Sequence, residues 1–273
     1  MLKTRVITAL ALVALLLPSL FWLPPTGWAL LVAAFIGIAA WEWGALLGWR
    51  AASRIVLGIA TAALCAGVAL ICPDSVEFRP GSLPVLLIYG LSTAFWAGVL
   101  PFWLRGKWSL GALSGLVVGA VVLLPTWLAM VQLRALGPAV LLGVFAVVWM
   151  ADIAAYFAGR AFGRHKLAPS ISPGKTWEGV LGAAAGVVAY GLIVRATAGI
   201  ELLAPLPWIG LLLAVTAVSV VGDLFESLLK RKAGIKDSSN VLPGHGGVLD
   251  RIDSLTSTLP VVAFLLMLLL PPA

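Results

Sequence analysis

The chain has 273 residues, of which 62% are hydrophobic and only 11% charged, and its mean hydropathy is +1.09. A soluble domain carries roughly a quarter charged residues and about half apolar ones, so an ordinary cytosolic enzyme, a disordered tail and a coiled coil are excluded, and a polytopic membrane protein is indicated. The net charge of +7, from 18 basic against 11 acidic residues, then speaks about topology, and no nucleic-acid partner is expected.

A membrane-crossing helix needs about 20 apolar residues. Apolar runs of that kind fall at roughly 7–23, 28–47, 55–72, 84–103, 109–130, 138–158, 178–196, 206–228 and 254–271. Lys3 and Arg5 precede the first run and no small-residue cleavage site follows it, so it reads as an uncleaved signal anchor. Cys65 and Cys72 lie in or beside the third run and read as helix thiols, with neither a disulfide framework nor a zinc site. The breaks carry loop punctuation: Pro24-Pro25-Thr26-Gly27, Pro73-Asp74, Arg105-Gly106-Lys107, Gly137-Pro138, and Pro205 with Pro207. Trp22, Trp28, Trp49, Trp103 and Trp108 fall near run ends and are expected to anchor at the interface. The predicted fold class is all-α, an integral membrane protein of about nine transmembrane helices.

Basic residues concentrate on the cytoplasmic side of membrane proteins. With the N-terminus inside and the C-terminus outside, 15 of the 18 Lys and Arg fall on cytoplasmic segments, and only Arg79, Arg134 and Arg195 on the other side. Two long polar segments, 159–177 and 229–253, then share the cytoplasmic side. Eight of the eleven acidic residues lie between Asp152 and Asp253. Residues 1–137 therefore read as scaffold helices, about five of them, and 138–273 as the region that carries the chemistry.

Within that region, Asp152, Asp223 and Glu226 sit in apolar runs. An ionised group at membrane depth costs several kcal/mol, so it faces a polar cavity, a partner or an ion. Asp223 and Glu226 are three apart and share a helix face, which Lys230 continues one turn on. An ion pair between helices and a reactive site both fit these residues alone. The segment after them joins Lys230-Arg231-Lys232 and Lys236 to Pro243-Gly244-His245-Gly246-Gly247, then to Asp250-Arg251-Ile252-Asp253. Glycines let a backbone approach phosphate closely, Lys and Arg supply compensating charge, and paired Asp suit Mg²⁺, which bridges phosphates. Together these are the parts of a metal-assisted phosphoryl or nucleotidyl transfer site. Gly174-Lys175-Thr176 looks like the end of a phosphate-binding P-loop, but the earlier glycine and preceding strand are missing, and that reading is rejected.

The run from Ser227 to Asp253, with its lysines, Pro-Gly-His-Gly-Gly turn and Asp-Arg-Ile-Asp ending, resembles the signature of the phosphatidate cytidylyltransferases, the CDP-diacylglycerol synthases. Asp152, Tyr156, Gly159, Gly163 and the Ser-Pro-x-Lys-Thr-x-Glu-Gly stretch at 172–179 resemble that family too, with Gly174 standing where many members carry a second lysine. The specific resemblance covers roughly 149–254. It implies transfer of the cytidylyl group of CTP to phosphatidate, with Mg²⁺ at the positions matching the family's metal-binding acids, Asp223 and Asp250. Asp253 is expected to assist that metal, and Lys230, Arg231, Lys236 and Arg251 to neutralise substrates and pyrophosphate. Ser172, Lys175 and Thr176 are expected to add a second phosphate cradle, with Ser227, His245, Gly246 and Gly247 also at the substrate. Phosphatidate is already an oxyanion, so no strong general base is required.

The resemblance further implies a homodimer, and the short chain fits a bacterial inner membrane, with the site facing the cytoplasm. Three rivals differ in class. A CTP-dependent lipid kinase would transfer the γ-phosphoryl group instead. A CDP-alcohol phosphatidyltransferase needs an Asp-Gly-x-x-Ala-Arg run that is absent here. An ion-coupled transporter would use the acids along a pathway, but they gather at one mouth and no repeat pair is visible.

Overall fold

The computed structural model describes residues 2–271. Among the described residues, nine helical spans are long and apolar enough to cross a membrane. They are α1 (Leu2–Trp22), α2 (Pro25–Leu46), α3 (Ala51–Ile71), α4 with α5 (Leu83–Ala94 and Leu100–Gly106), α6 (Ala112–Ala135), α7 (Pro138–Phe162), α8 (Trp177–Ala198), α9 (Pro205–Lys232) and α10 (Leu249–Leu269). Prolines set several starts: α2, α7 and α9 each carry one at the first turn, where no N–H partner is lost.

The fourth span is interrupted. Pro101 has no N–H to give to the helix ladder, and the chain absorbs it with a π-helical turn, Phe95–Val99, between α4 and α5. That turn delivers Phe95 and Trp96 to Phe225 of α9. Trp43 and Trp103 close the cage, all with ring centroids 5.8–6.3 Å from Phe225. Phe225 directly precedes Glu226 and lies two residues after Asp223, so this cage fixes the end of the helix that carries the site. The expected interfacial role fails for Trp103 and Trp28. Both are buried, and Trp28 Nε1 donates to the Met130 carbonyl at 3.1 Å. Trp22 and Trp108 are exposed.

Helices approach closely where small residues face each other, as membrane packing favours. A Cβ on Gly182 of α8 would lie 2.2 Å from Ala158 Cβ of α7, and one on Gly222 of α9 would lie 2.4 Å from Ser257 Oγ of α10. α10 packs on α2, α4, α6 and α9, so one hydrophobic core runs across the 137/138 division.

Both long polar segments are more structured than the sequence suggests. Residues 166–176 form a hairpin of β1 (Lys166–Ala168) and β2 (Ser172–Thr176), antiparallel, with Lys166 opposite Thr176 and Ala168 opposite Ser172. In the second segment α9 runs on to Lys232 and α10 begins at Leu249, so only residues 233–248 connect them. Asp250 and Asp253 therefore belong to the first turns of α10.

Candidate active site

Lys175 joins the hairpin to an acid of the bundle. The hairpin is held at its base by Glu178, which accepts hydrogen bonds from the backbone N–H groups of Arg164 and His165 and pairs with His165 Nδ1 at 2.6 Å. At its far side Arg231 Nε donates to the Ile171 carbonyl at 3.3 Å. Thr176 ends β2 and caps α8, its Oγ1 accepting from Gly179 N–H at 3.1 Å. So fixed, β2 presents Lys175 Nζ to Asp223 Oδ2 of α9. Asp223 Oδ1 accepts from Ser227 Oγ at 3.2 Å. This pair opens on a cavity of about 370 Å³ lined in part by Asp152, Tyr156, Arg160, Ser219 and Ser254, a size in the range of small-molecule sites.

Behind that cavity lies a buried triad. Lys230 Nζ stands 2.7 Å from Asp250 Oδ1 and 3.3 Å from Glu226 Oε1. Asp250 Oδ2 accepts three further hydrogen bonds, from Ser238 N–H at 2.8 Å, Ser238 Oγ at 2.9 Å and Gly247 N–H at 2.8 Å. The glycine turn wraps this carboxylate. Gly246 has φ +81°, and a Cβ there would lie 2.6 Å from Asp250 Oδ2. Only glycine meets both demands without strain. Asp253, whose Oδ1 accepts the Ser254 N–H at 2.7 Å, links the two parts through its electrostatic interaction with Asp223, Lys175 and Lys230.

The sequence-predicted residues thus separate into groups. Lys175, Thr176 and Asp223 line the cavity; Lys230, Asp250 and Gly247 form the buried layer. Ser227 supports Asp223, and Arg231 is committed to the hairpin backbone. Ser172 lies in β2 opposite Ala168, while Lys236 and Arg251 are exposed on the same end. His245 sits in the turn with its Nδ1 buried and without a hydrogen-bond partner among the described residues. Tyr156 and Glu178 stand out in the sequence only by family resemblance, Arg160 has no site role there, and Glu42 is not singled out at all. The last is an acid inside the apolar run of α2, the same signal that singled out Asp152.

The chemistry of the donor set fits a hard divalent cation. Five carboxyl groups, Asp152, Asp223, Glu226, Asp250 and Asp253, interact with one another and with three cations, Lys175, Lys230 and Arg251. No three acidic, His or Cys side chains converge into a closed cage among the described residues.

Fold and site together define a class: a polytopic helical membrane protein with an acid-and-lysine cavity, a lysine-bearing hairpin and a glycine turn at one end of the bundle. The chain belongs to the cytidylyltransferase family, whose model matches residues 3–269. It is 42% identical to a phosphatidate cytidylyltransferase of Pseudomonas aeruginosa over 97% of both chains, and 36% identical to one of Haemophilus influenzae over 97% of this chain and 98% of that one. A phosphatidate cytidylyltransferase of Bacillus subtilis is 46% identical over 45% of each chain.

Proposed function

We infer that the chain transfers the cytidylyl group of CTP to phosphatidate, giving CDP-diacylglycerol and pyrophosphate. The observation that carries this reading is the meeting of Lys175 and Asp223 at the cavity, beside a glycine turn wrapped on Asp250. Anionic substrates of a membrane enzyme need cations and a metal-competent carboxylate at one interface, and both are there.

The reaction balances without a base. An oxygen of the phosphatidate phosphate forms a bond to the α-phosphorus of CTP, and the bond from that phosphorus to the bridging oxygen of pyrophosphate breaks. Mg²⁺, when bound, supplies charge neutralisation at the CTP phosphates. Asp223 is the residue that would hold it, facing the cavity. Asp250, already saturated at Oδ2, would lend it Oδ1 in competition with Lys230. Lys175 trades its contact with Asp223 for an incoming phosphate. Arg160, exposed at the cavity rim beside Tyr156 with a 2.9 Å hydrogen bond between them, faces the anionic lipid headgroup. Lys230 keeps Asp250 and Glu226 compensated in the buried layer, and Lys236 and Arg251 draw the soluble nucleotide to this end.

We further propose that this end faces the cytoplasm of a bacterial inner membrane. The basic-residue bias supports it. So does the position of the N-terminal segment at the same end, where Thr8 Oγ1 of α1 donates to the Pro243 carbonyl at 2.9 Å. The activity is tested by following pyrophosphate release from purified protein. Release that requires phosphatidate, CTP and Mg²⁺ together is expected; release that ignores phosphatidate would contradict the assignment.

A further inference from the structure

Glu42 lies in α2, in the half of the chain read as scaffold, yet its side chain reaches the connection between α9 and α10. It is fully buried. Its Oε1 accepts from Ser239 Oγ at 2.5 Å and from Val248 N–H at 3.0 Å, and its Oε2 accepts from Ser238 Oγ at 3.2 Å and from Leu249 N–H at 2.6 Å. Val248 and Leu249 open α10, where backbone N–H groups have no helical partner and the helix dipole favours a negative charge. No Lys or Arg forms an ion pair with Glu42 among the described residues. A buried carboxylate with no cation is costly unless hydrogen bonds compensate it; here two backbone N–H groups, the Ser239 hydroxyl, a share of the Ser238 hydroxyl and the helix terminus do so.

The same elements touch Asp250 from the other side. Ser238 Oγ lies between Glu42 and Asp250, and Gly247, whose N–H binds Asp250, has no room for a side chain: a Cβ would come within 2.1 Å of Ser238 Oγ and 2.3 Å of Glu42 Oε1. Glu42 and Asp250 together clamp residues 238–249.

We propose that Glu42 is a positioning residue: it holds the Ser238–Leu249 segment and the first turn of α10 so that Asp250 and the glycine turn are set for cytidylyl transfer. This rests on the function proposed above. Glutamine is the informative replacement. Its single carbonyl oxygen can accept one backbone N–H, but its amide nitrogen then faces the other, and a backbone N–H cannot reverse its role as the serine hydroxyls can.

The test measures Glu42→Gln and the wild type side by side, by hydrogen–deuterium exchange and by steady-state kinetics. The expected result is faster exchange confined to residues 238–250, with residues 255–269 of α10 unchanged, and a kcat lowered about 10- to 100-fold while KM for CTP moves less. Glu42→Asp, which keeps the charge, should recover part of kcat. Unchanged exchange and kcat in folded Glu42→Gln protein would overturn the proposal. If that variant does not fold, Ser239→Ala removes one donor from the other side of the contact, and normal exchange with normal kcat there overturns it equally. A wild type that makes no CDP-diacylglycerol would refute the function, while the exchange data would still report whether Glu42 holds the segment.

Discussion

Asp223 meets the hairpin lysine at the cavity, and the proposed chemistry rests on it. Asp223→Asn keeps the shape and removes the charge. It should lower kcat by on the order of 100-fold or more, measured by CDP-diacylglycerol formation at saturating substrates. Lys175→Ala should act differently, raising KM for CTP about tenfold, equivalent to about 1.4 kcal/mol of binding, with a smaller loss in kcat. Gly246→Ala places a methyl against Asp250 Oδ2 at a positive φ and should abolish activity in protein that still purifies as a folded species. These residues were legible in the sequence because lysines, glycines and aspartates stood at motif spacing. What the residue pattern left open was who binds whom. The pairing of Lys175 with Asp223, and of Lys230 with Asp250, joins positions 48 and 20 apart and depends on how three elements cross.

At the scale of elements, the helices were readable from hydropathy because each must satisfy its own backbone in lipid. Their ends were not, and α9 and α10 each extend several residues into the segment expected to be loop. The hairpin was not foreseen: its strands are three and five residues long, one contains Pro173 and Gly174, and neither has an apolar alternation to announce it. Its stability comes from tethers. Thr176→Ala removes the α8 cap and should cost about 1 kcal/mol, seen as a lower melting temperature. Glu178→Gln weakens the grip on Arg164, His165 and the hairpin base. Faster exchange across residues 164–176, with the helical spans unaffected, is the expected result, and KM for CTP should rise as Lys175 loses its placement.

For the whole molecule, labelling checks the orientation proposed from the charge distribution. In a background lacking Cys65 and Cys72, a cysteine at the exposed Ser170 or Asn240 should react with a membrane-impermeant thiol reagent only from the cytoplasmic side. One at the exposed Glu201 should react only from the other. The first half does more than hold the bundle together. α2 places Trp43 in the cage around Phe225 and Glu42 under the glycine turn, contacts that span about 200 residues and leave no local pattern beyond one acid in an apolar run.

Cytidylyl transfer to lipid is decided with CTP labelled separately at the α- and γ-phosphates, incubated with phosphatidate, Mg²⁺ and the detergent-solubilised protein. The expected result is α-label in the chloroform-soluble product and γ-label in released pyrophosphate. Label from the γ position in the lipid would mean a kinase and would contradict it, as would folded protein that turns over neither label.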